Sequence, residues 1–229
     1  MKKVDFDAYA ADYEEHLGHN MAAFGKDTAY YAEYKIRLFA RLWDRSTPPA
    51  RVLEYGVGTG RNLPYLRAQF PGSTIGGCDI SAKSVAIAQQ VVPDGEFFVL
   101  GKPEAKRRKP YDAIFVAGVF HHIAPGLRAG AIEQLKALLA PGGQVVIFEH
   151  NPLNPVTRRL VRTCAFDSDA ILLPPRELIE RLETRGLTVT HRQSTLFFPA
   201  ALKVLAPLER FLGWLPLGGQ YVVRAVKAQ

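Results

Sequence analysis

The sequence predicts an α/β fold in which seven strands form a sheet covered by helices on both faces. Three observations carry this. Short apolar runs alternate with amphipathic stretches, the arrangement that builds a parallel sheet packed on two sides. Glycines 56, 58 and 60 follow directly on the apolar run 51–55, marking a tight strand-to-helix turn. The next apolar run, 74–79, ends in an acid, Asp79, at the position where such folds carry ligand-binding carboxylates.

Taken in order, residues 6–24 place Phe6, Tyr9, Tyr13, Leu17, Met21 and Phe24 three or four apart, a single helical face interrupted near Gly18 and Gly25. Thr28 is positioned to cap a second helix with Tyr31, Tyr34, Leu38 and Leu42 along one face, and Pro48 and Pro49 lie beyond its end. Strands are expected at 51–55, 74–79, 96–100, 111–117 and 144–149, with helices at 61–69, 82–92 and 127–140 between them. The segment 150–174 is the least regular, its Asn-Pro pairs favouring turns, with a short helix expected at 156–163. Pro175 opens a helix that Gly186 stops; strands near 187–197 and 219–227 flank an apolar helix at 200–212. No repeat or second domain is evident, so residues 1–229 read as one domain.

Composition excludes several classes. With 229 residues, 48% hydrophobic and 22% charged, the chain is an ordinary globular one. The net charge of +7 includes the run Lys106–Lys109, which reads as a solvated loop, and no aromatic-interleaved basic stripe points to nucleic acid. No signal peptide opens the sequence and no apolar run reaches membrane-spanning length, so no membrane insertion is expected. Cys78 and Cys164 have no paired spacing, which makes a cytoplasmic location the expectation. Oligomeric state is not encoded in any visible pattern.

The chemistry concentrates around the glycine turn. A pyrophosphate-binding turn would need glycine where Arg61 stands, and Glu54 would face two phosphates unfavourably. Glu54 instead suits a ligand carrying an ammonium or sulfonium, while Asp79 offers two acceptor oxygens to a ribose diol. Both acids, with Lys102, Gly118 and His150, are expected at the carboxyl edge of the sheet. His121 and His122 end the fourth strand at that edge as candidate bases, and His150 beside Asn151 is another. Packing or local hydrogen bonding accounts equally for any one of them. Metal binding is not expected, because adjacent histidines diverge and no carboxylate or cysteine spacing completes a set.

Glu54-Tyr-Gly-Val-Gly-Thr-Gly60 resembles the first motif of the class I S-adenosylmethionine-dependent methyltransferases, which have a Rossmann-like fold. Asp79, the segment Tyr111–Ile123 and the turn Leu139–Ile147 match that family in order and spacing across residues 51–150. The resemblance implies a mostly parallel sheet closed by an antiparallel hairpin within 150–229, and residues 1–46 folded as a helical lid. It implies S-adenosylmethionine as cofactor, held by Glu54, Gly56, Gly58, Gly60, Asn62, Asp79, Ile80, Ala117 and Gly118. Tyr9 and Tyr13 become candidate contacts to its methionine end, where an aromatic face attracts a sulfonium by about 0.5–2 kcal/mol, and Tyr9 a candidate catalytic residue. The family commonly places an acid after the residue matching Gly101; here Lys102-Pro-Glu104 follows, so Glu104 or a carbonyl would meet the adenine amine. The Asn/Asp-Pro-Pro-aromatic motif of relatives methylating nucleobases or glutamine amides is absent, which favours a small-molecule acceptor. Other readings remain open: cyclisation of the cofactor to azetidine-2-carboxylate and methylthioadenosine, cofactor binding without turnover, and nicotinamide-dependent redox chemistry.

Overall fold

A computed structural model describes residues 28–229 except 44, 104, 106, 107, 165 and 166. Tyr9, Tyr13 and Glu104 therefore lie outside the described residues.

The first described helix, α1 (Thr28–Leu42), precedes the alternation β1 (Arg51–Tyr55), α2 (Leu63–Gln69), β2 (Thr74–Asp79), α3 (Ala82–Val91) and β3 (Glu96–Val99). Then come β4 (Tyr111–Ala117), a 3-10 turn (Phe120–His122), α4 (Arg128–Leu138) and β5 (Leu139–His150). The remainder is α5 (Pro155–Thr163), α6 (Pro175–Glu183), β6 (Leu187–Thr195), a kinked 3-10 segment (Ala200–Phe211) and β7 (Gln220–Lys227). The strands lie in one sheet in the order β3-β2-β1-β4-β5-β7-β6, and only β7 runs against the rest. The chain winds outward from β1 to β3 and returns to β4 beside β1. That reversal opens a crevice at the carboxyl ends of β1 and β4, where open α/β sheets bind ligands.

Strand periodicity sorts the core into two layers. Leu53, Ile114, Val116, Val145, Ile147, Val223 and Ala225 point to one face and pack with Ile132, Leu135, Leu178 and Leu182 of α4 and α6. Val52, Ala113, Phe115, Val146, Phe148 and Val222 point to the other and pack with Ile36, Phe39, Leu63, Leu66, Val85 and Ala88 of α1, α2 and α3. Phe115 sits centrally, its ring 5.4 Å from Phe39 and 5.6 Å from Phe148.

Most elements start within a residue or two of their expected bounds. The largest difference is β5, which begins at Leu139 and not at 144, because Leu139 pairs with Tyr111 before an irregularity in the ladder. The helix expected at 200–212 is a 3-10 segment, since Pro207 within it cannot donate to a regular helical ladder. Of the expected α1 stripe, Leu38 is buried and Tyr34 and Leu42 pack against the core, while Ala32, Lys35, Ile36 and Phe39 complete the buried face. Of its tyrosines, Tyr31 lines the cleft, while Tyr34 bonds Thr195 and Glu209. Among the described residues, no helix is long and apolar enough to cross a membrane.

Phe115→Ala removes the ring that joins α1 to the sheet centre and is expected to destabilise the protein by about 3–5 kcal/mol. Urea unfolding followed by circular dichroism measures this; a change below about 1 kcal/mol would mean that the two-layer packing is misassigned.

Candidate active site

The turn after β1 brings backbone close to open space. Gly56 has φ +76° and a Cβ there would strike Val119, so only glycine lets the turns after β1 and β4 approach. Gly58, also at positive φ (+52°), has nothing within 4 Å of an added Cβ; its backbone borders the cleft directly. Its N–H donates to Asp79 Oδ2 at 3.0 Å, and the Ser81 N–H donates to Oδ1 at 3.0 Å. Asp79 is thereby oriented at the cleft wall, next to the half-exposed Ile80.

Glu54 ends up in an unusual electrostatic position. It is 1% exposed; Oε1 accepts from Asn62 Nδ2 at 2.5 Å, while Oε2 has no hydrogen-bond partner among the described residues. Burial pushes its carboxyl up to about 8, against smaller opposing effects of the Asn62 hydrogen bond and the Lys35 and Arg61 charges. Lys35, buried on α1 and lining the cleft, is pushed down to about 8 by burial and then by Arg61. A buried carboxyl with one unpartnered oxygen thus lies within electrostatic reach of Lys35 and Arg61, which do line the cleft.

A second buried carboxylate stands behind the cleft-lining His121. Glu149, fully buried near the end of β5, accepts from the backbone N–H groups of Val119 (2.9 Å) and Phe120 (2.6 Å) and pairs with His121 Nδ1 at 2.7 Å. Burial alone would raise its pKa, but His121 beside it and these donors hold it below the carboxylate range. For His121 burial opposes the cation, yet Glu149 and Asp167 outweigh burial and keep it above the usual imidazole value. His150, 4.7 Å from His121 ring to ring, is driven down to about 4 by burial and then by the His121 charge. It is a neutral imidazole at physiological pH.

Asp167 and Asp169 enter from the irregular segment between α5 and α6. Asp169 Oδ1 lies 3.0 Å from His122 Nδ1, and Asp167 Oδ1 lies 3.5 Å from Nε2 of both His121 and His122. Buried Arg128 fixes this segment by donating to the Phe120, Ile123 and Ile171 carbonyls and to Glu177, while the Ile171 N–H donates to the His121 carbonyl at 2.8 Å. The expectation that adjacent histidines diverge and lack a carboxylate does not hold. The short 3-10 turn sets the two rings 4.1 Å apart, and the acids come from far along the chain.

The cleft has a volume of about 1090 Å³. Glycines 56, 58 and 118, Asp79, Ile80, Ala117, His121, His122 and His150 line it together. Four of the described residues expected at a cofactor do not line it, the buried Glu54 among them. Gly60 packs, an added Cβ meeting Leu63 and Ala88 at 2.9 and 3.1 Å; Asn62 acts through Glu54; Lys102 is exposed in the turn after β3, the sheet's outermost strand. Lys35, Arg61, Glu149, Asp167 and Asp169 were not singled out from the sequence. The charged Lys35 on an otherwise apolar helix face was the one visible signal.

Glu54→Gln is expected to stabilise the ligand-free protein increasingly as pH rises. A carboxyl moved from its ordinary 4.5 up to about 8 by folding contributes stability below 4.5 that is lost through about 8, and the amide does not titrate. Thermal melts at pH values across this window measure it; a pH-independent difference between the two proteins would contradict the assignment.

Comparisons with known proteins agree with this geometry. The family described as Methyltransferase domain matches residues 27–192. Demethylmenaquinone methyltransferase of Thermotoga maritima is 29% identical over 150 residues, covering 65% of this chain and 61% of that protein. Trans-aconitate 2-methyltransferase of Methylobacterium nodulans is 30% identical over 121 residues, covering 51% of this chain and 45% of its own length. The chain thus spans between about half and three fifths of the length of these relatives. A chain from the complex between the Haloferax volcanii Trm112 methyltransferase activator and the putative methyltransferase superposes over 100% of both chains, with a TM-score of 0.65 at 20% identity. That likeness shows the fold.

Proposed function

Since the chain belongs to the methyltransferase family, we propose that it is an S-adenosylmethionine-dependent enzyme that methylates a small organic acceptor. One observation carries the reading: the glycine turn after β1, the oriented Asp79 and a histidine cluster line the same cleft, with the half-satisfied buried Glu54 two residues before that turn. The residues fit the cofactor. The Glu54 Oε2 atom lacks a donor that an amino-acid ammonium supplies, and the open space over Gly58 leaves room for a ligand against bare backbone. Lys35 and Arg61, both lining the cleft, supply charge for a carboxylate, and Asp79 supplies acceptors for a ribose diol.

When bound, S-adenosylmethionine supplies an electrophilic methyl group on a sulfonium, whose departure as a neutral thioether needs no acid. The chain's own task is to hold an acceptor in line and keep water out. His122, which lines the cleft and which burial holds below the usual imidazole value, can take a proton from an acceptor that arrives protonated. Glu149 fixes the His121 ring so that Nε2, and not Nδ1, faces the cleft side. The apolar wall formed by Leu160, Val161, Phe197 and Phe198 suits an acceptor with a hydrophobic body. Among the relatives, the names demethylmenaquinone and trans-aconitate methyltransferase fit small acceptors, whereas a probable tRNA methyltransferase 9B from Homo sapiens, 28% identical over 151 residues, acts by name on RNA. The cleft's enclosed histidine end supports the former class.

Incubation with S-adenosylmethionine and a cell extract, followed by mass spectrometry, tests the reading. Adenosylhomocysteine formed only when extract is present is the expected result; methylthioadenosine formed without any acceptor would establish cyclisation instead. Asp79→Ala should weaken adenosylhomocysteine binding roughly 10- to 100-fold, the loss of a charged hydrogen bond worth about 1.5–3 kcal/mol. Calorimetry showing unchanged affinity would remove Asp79 from the site.

A further inference from the structure

We propose that His121, His150 and Asp167 bind a first-row transition-metal dication at the acceptor end of the cleft. The nitrogen and oxygen atoms these side chains offer lie within 4.8 Å of one another, and all three residues line the cleft. Two imidazoles and one carboxylate are the donor set of zinc, iron(II) and cobalt(II) sites, and three protein ligands leave coordination positions open.

Three further features suit this cluster to a metal. First, His121 Nε2 and Asp167 Oδ1 are 3.5 Å apart. That is long for a hydrogen bond, which spans about 2.7–3.2 Å. It matches the roughly 3.4 Å between two atoms that each sit about 2.0–2.1 Å from one tetrahedral cation. Second, the other nitrogen of His121 is already held by Glu149 at 2.7 Å. A carboxylate on the far nitrogen of a ligating imidazole fixes its ring and strengthens its donation to a metal. Third, Glu149 is itself locked by the Val119 and Phe120 N–H groups, and Arg128 pins the segment bearing Asp167. The His121 ring is therefore held from behind before any ion arrives, and Asp167 is carried on an anchored segment.

His122, with Nδ1 on Asp169 and Nε2 3.5 Å from the same Asp167 oxygen, stands beside the set where it can assist an incoming ligand. The open positions face the cleft and take an oxygen donor such as a hydroxyl, enol or carboxylate. This use of the metal rests on the methyl-transfer reading and narrows the acceptor to an oxygen compound; the metal site does not depend on that reading.

The probe is cobalt(II) chloride, titrated into the full chain after chelator treatment and followed by visible absorption. A saturable d–d band displaced by zinc is expected. His150→Ala and the near-isosteric Asp167→Asn should each weaken cobalt binding about 10-fold or more, and His191→Ala, on β6 and outside the cleft lining, should leave it unchanged. Melting temperatures of the same samples identify any variant that fails to fold. No saturable band in the folded protein, or folded Asp167→Asn and His150→Ala proteins that bind cobalt as tightly as the parent, would overturn the site. Adenosylhomocysteine calorimetry on the same preparation separates the two readings: uptake of the nucleoside without cobalt overturns the metal site alone, and cobalt uptake without the nucleoside supports the metal site while overturning the cofactor assignment.

Discussion

A carboxylate taken out of water must find donors, and three glutamates in this protein meet that constraint in different ways. Glu149 collects two backbone N–H groups and an imidazole. Glu209 collects the N–H groups of Leu196, Phe197 and Phe198 together with the Tyr34 hydroxyl. Glu54 collects one side-chain amide, and its second oxygen is left with nothing among the described residues. The first two are structural clamps: one ties the turn after β4 to β5, the other ties the cleft-lining segment 196–198 to α1. The third is incomplete in a position where a ligand can complete it, and an uncompensated buried acceptor costs about 1–3 kcal/mol or more.

The clamps also explain local strain. Leu196 has φ +57°, a left-handed conformation that a leucine rarely adopts. Its N–H is bonded to Glu209 at 2.9 Å, so the carboxylate holds the conformation that turns Phe197 and Phe198 to the cleft wall. Stability is spent on shape at the acceptor side as well as on charge at the cofactor side, the general pattern of a site assembled against its own folding preference.

The parts legible in the sequence are the ones that depend on neighbours in the chain. Strand β1 and its glycine turn form a continuous local signal, so Gly56 and Gly58 can be placed on the crevice from the residues alone; Asp79 follows one strand–helix unit later. The mostly parallel sheet followed from alternation, and its closing antiparallel hairpin from resemblance. What could not be read is long-range. Asp167 meets His121 only because Arg128 and the Ile171 N–H fold the intervening segment back over the 3-10 turn. Glu149 looked like an ordinary strand end, since its donors belong to the turn after a different strand. Asn62 stood next to the glycines and was taken for a ligand residue, whereas its amide serves Glu54. Gly60 belongs to the same motif by spacing, yet its lack of a side chain serves the contact with Leu63 and Ala88.

The account stands on Glu54 being neutral without a ligand and ionised with one. Calorimetric titration of adenosylhomocysteine near neutral pH, repeated in two buffers of different ionisation enthalpy, counts the protons exchanged on binding. Net proton release that disappears in a Glu54→Gln protein is the predicted result. Tight binding with no proton exchange, or with release unchanged by that substitution, would contradict it.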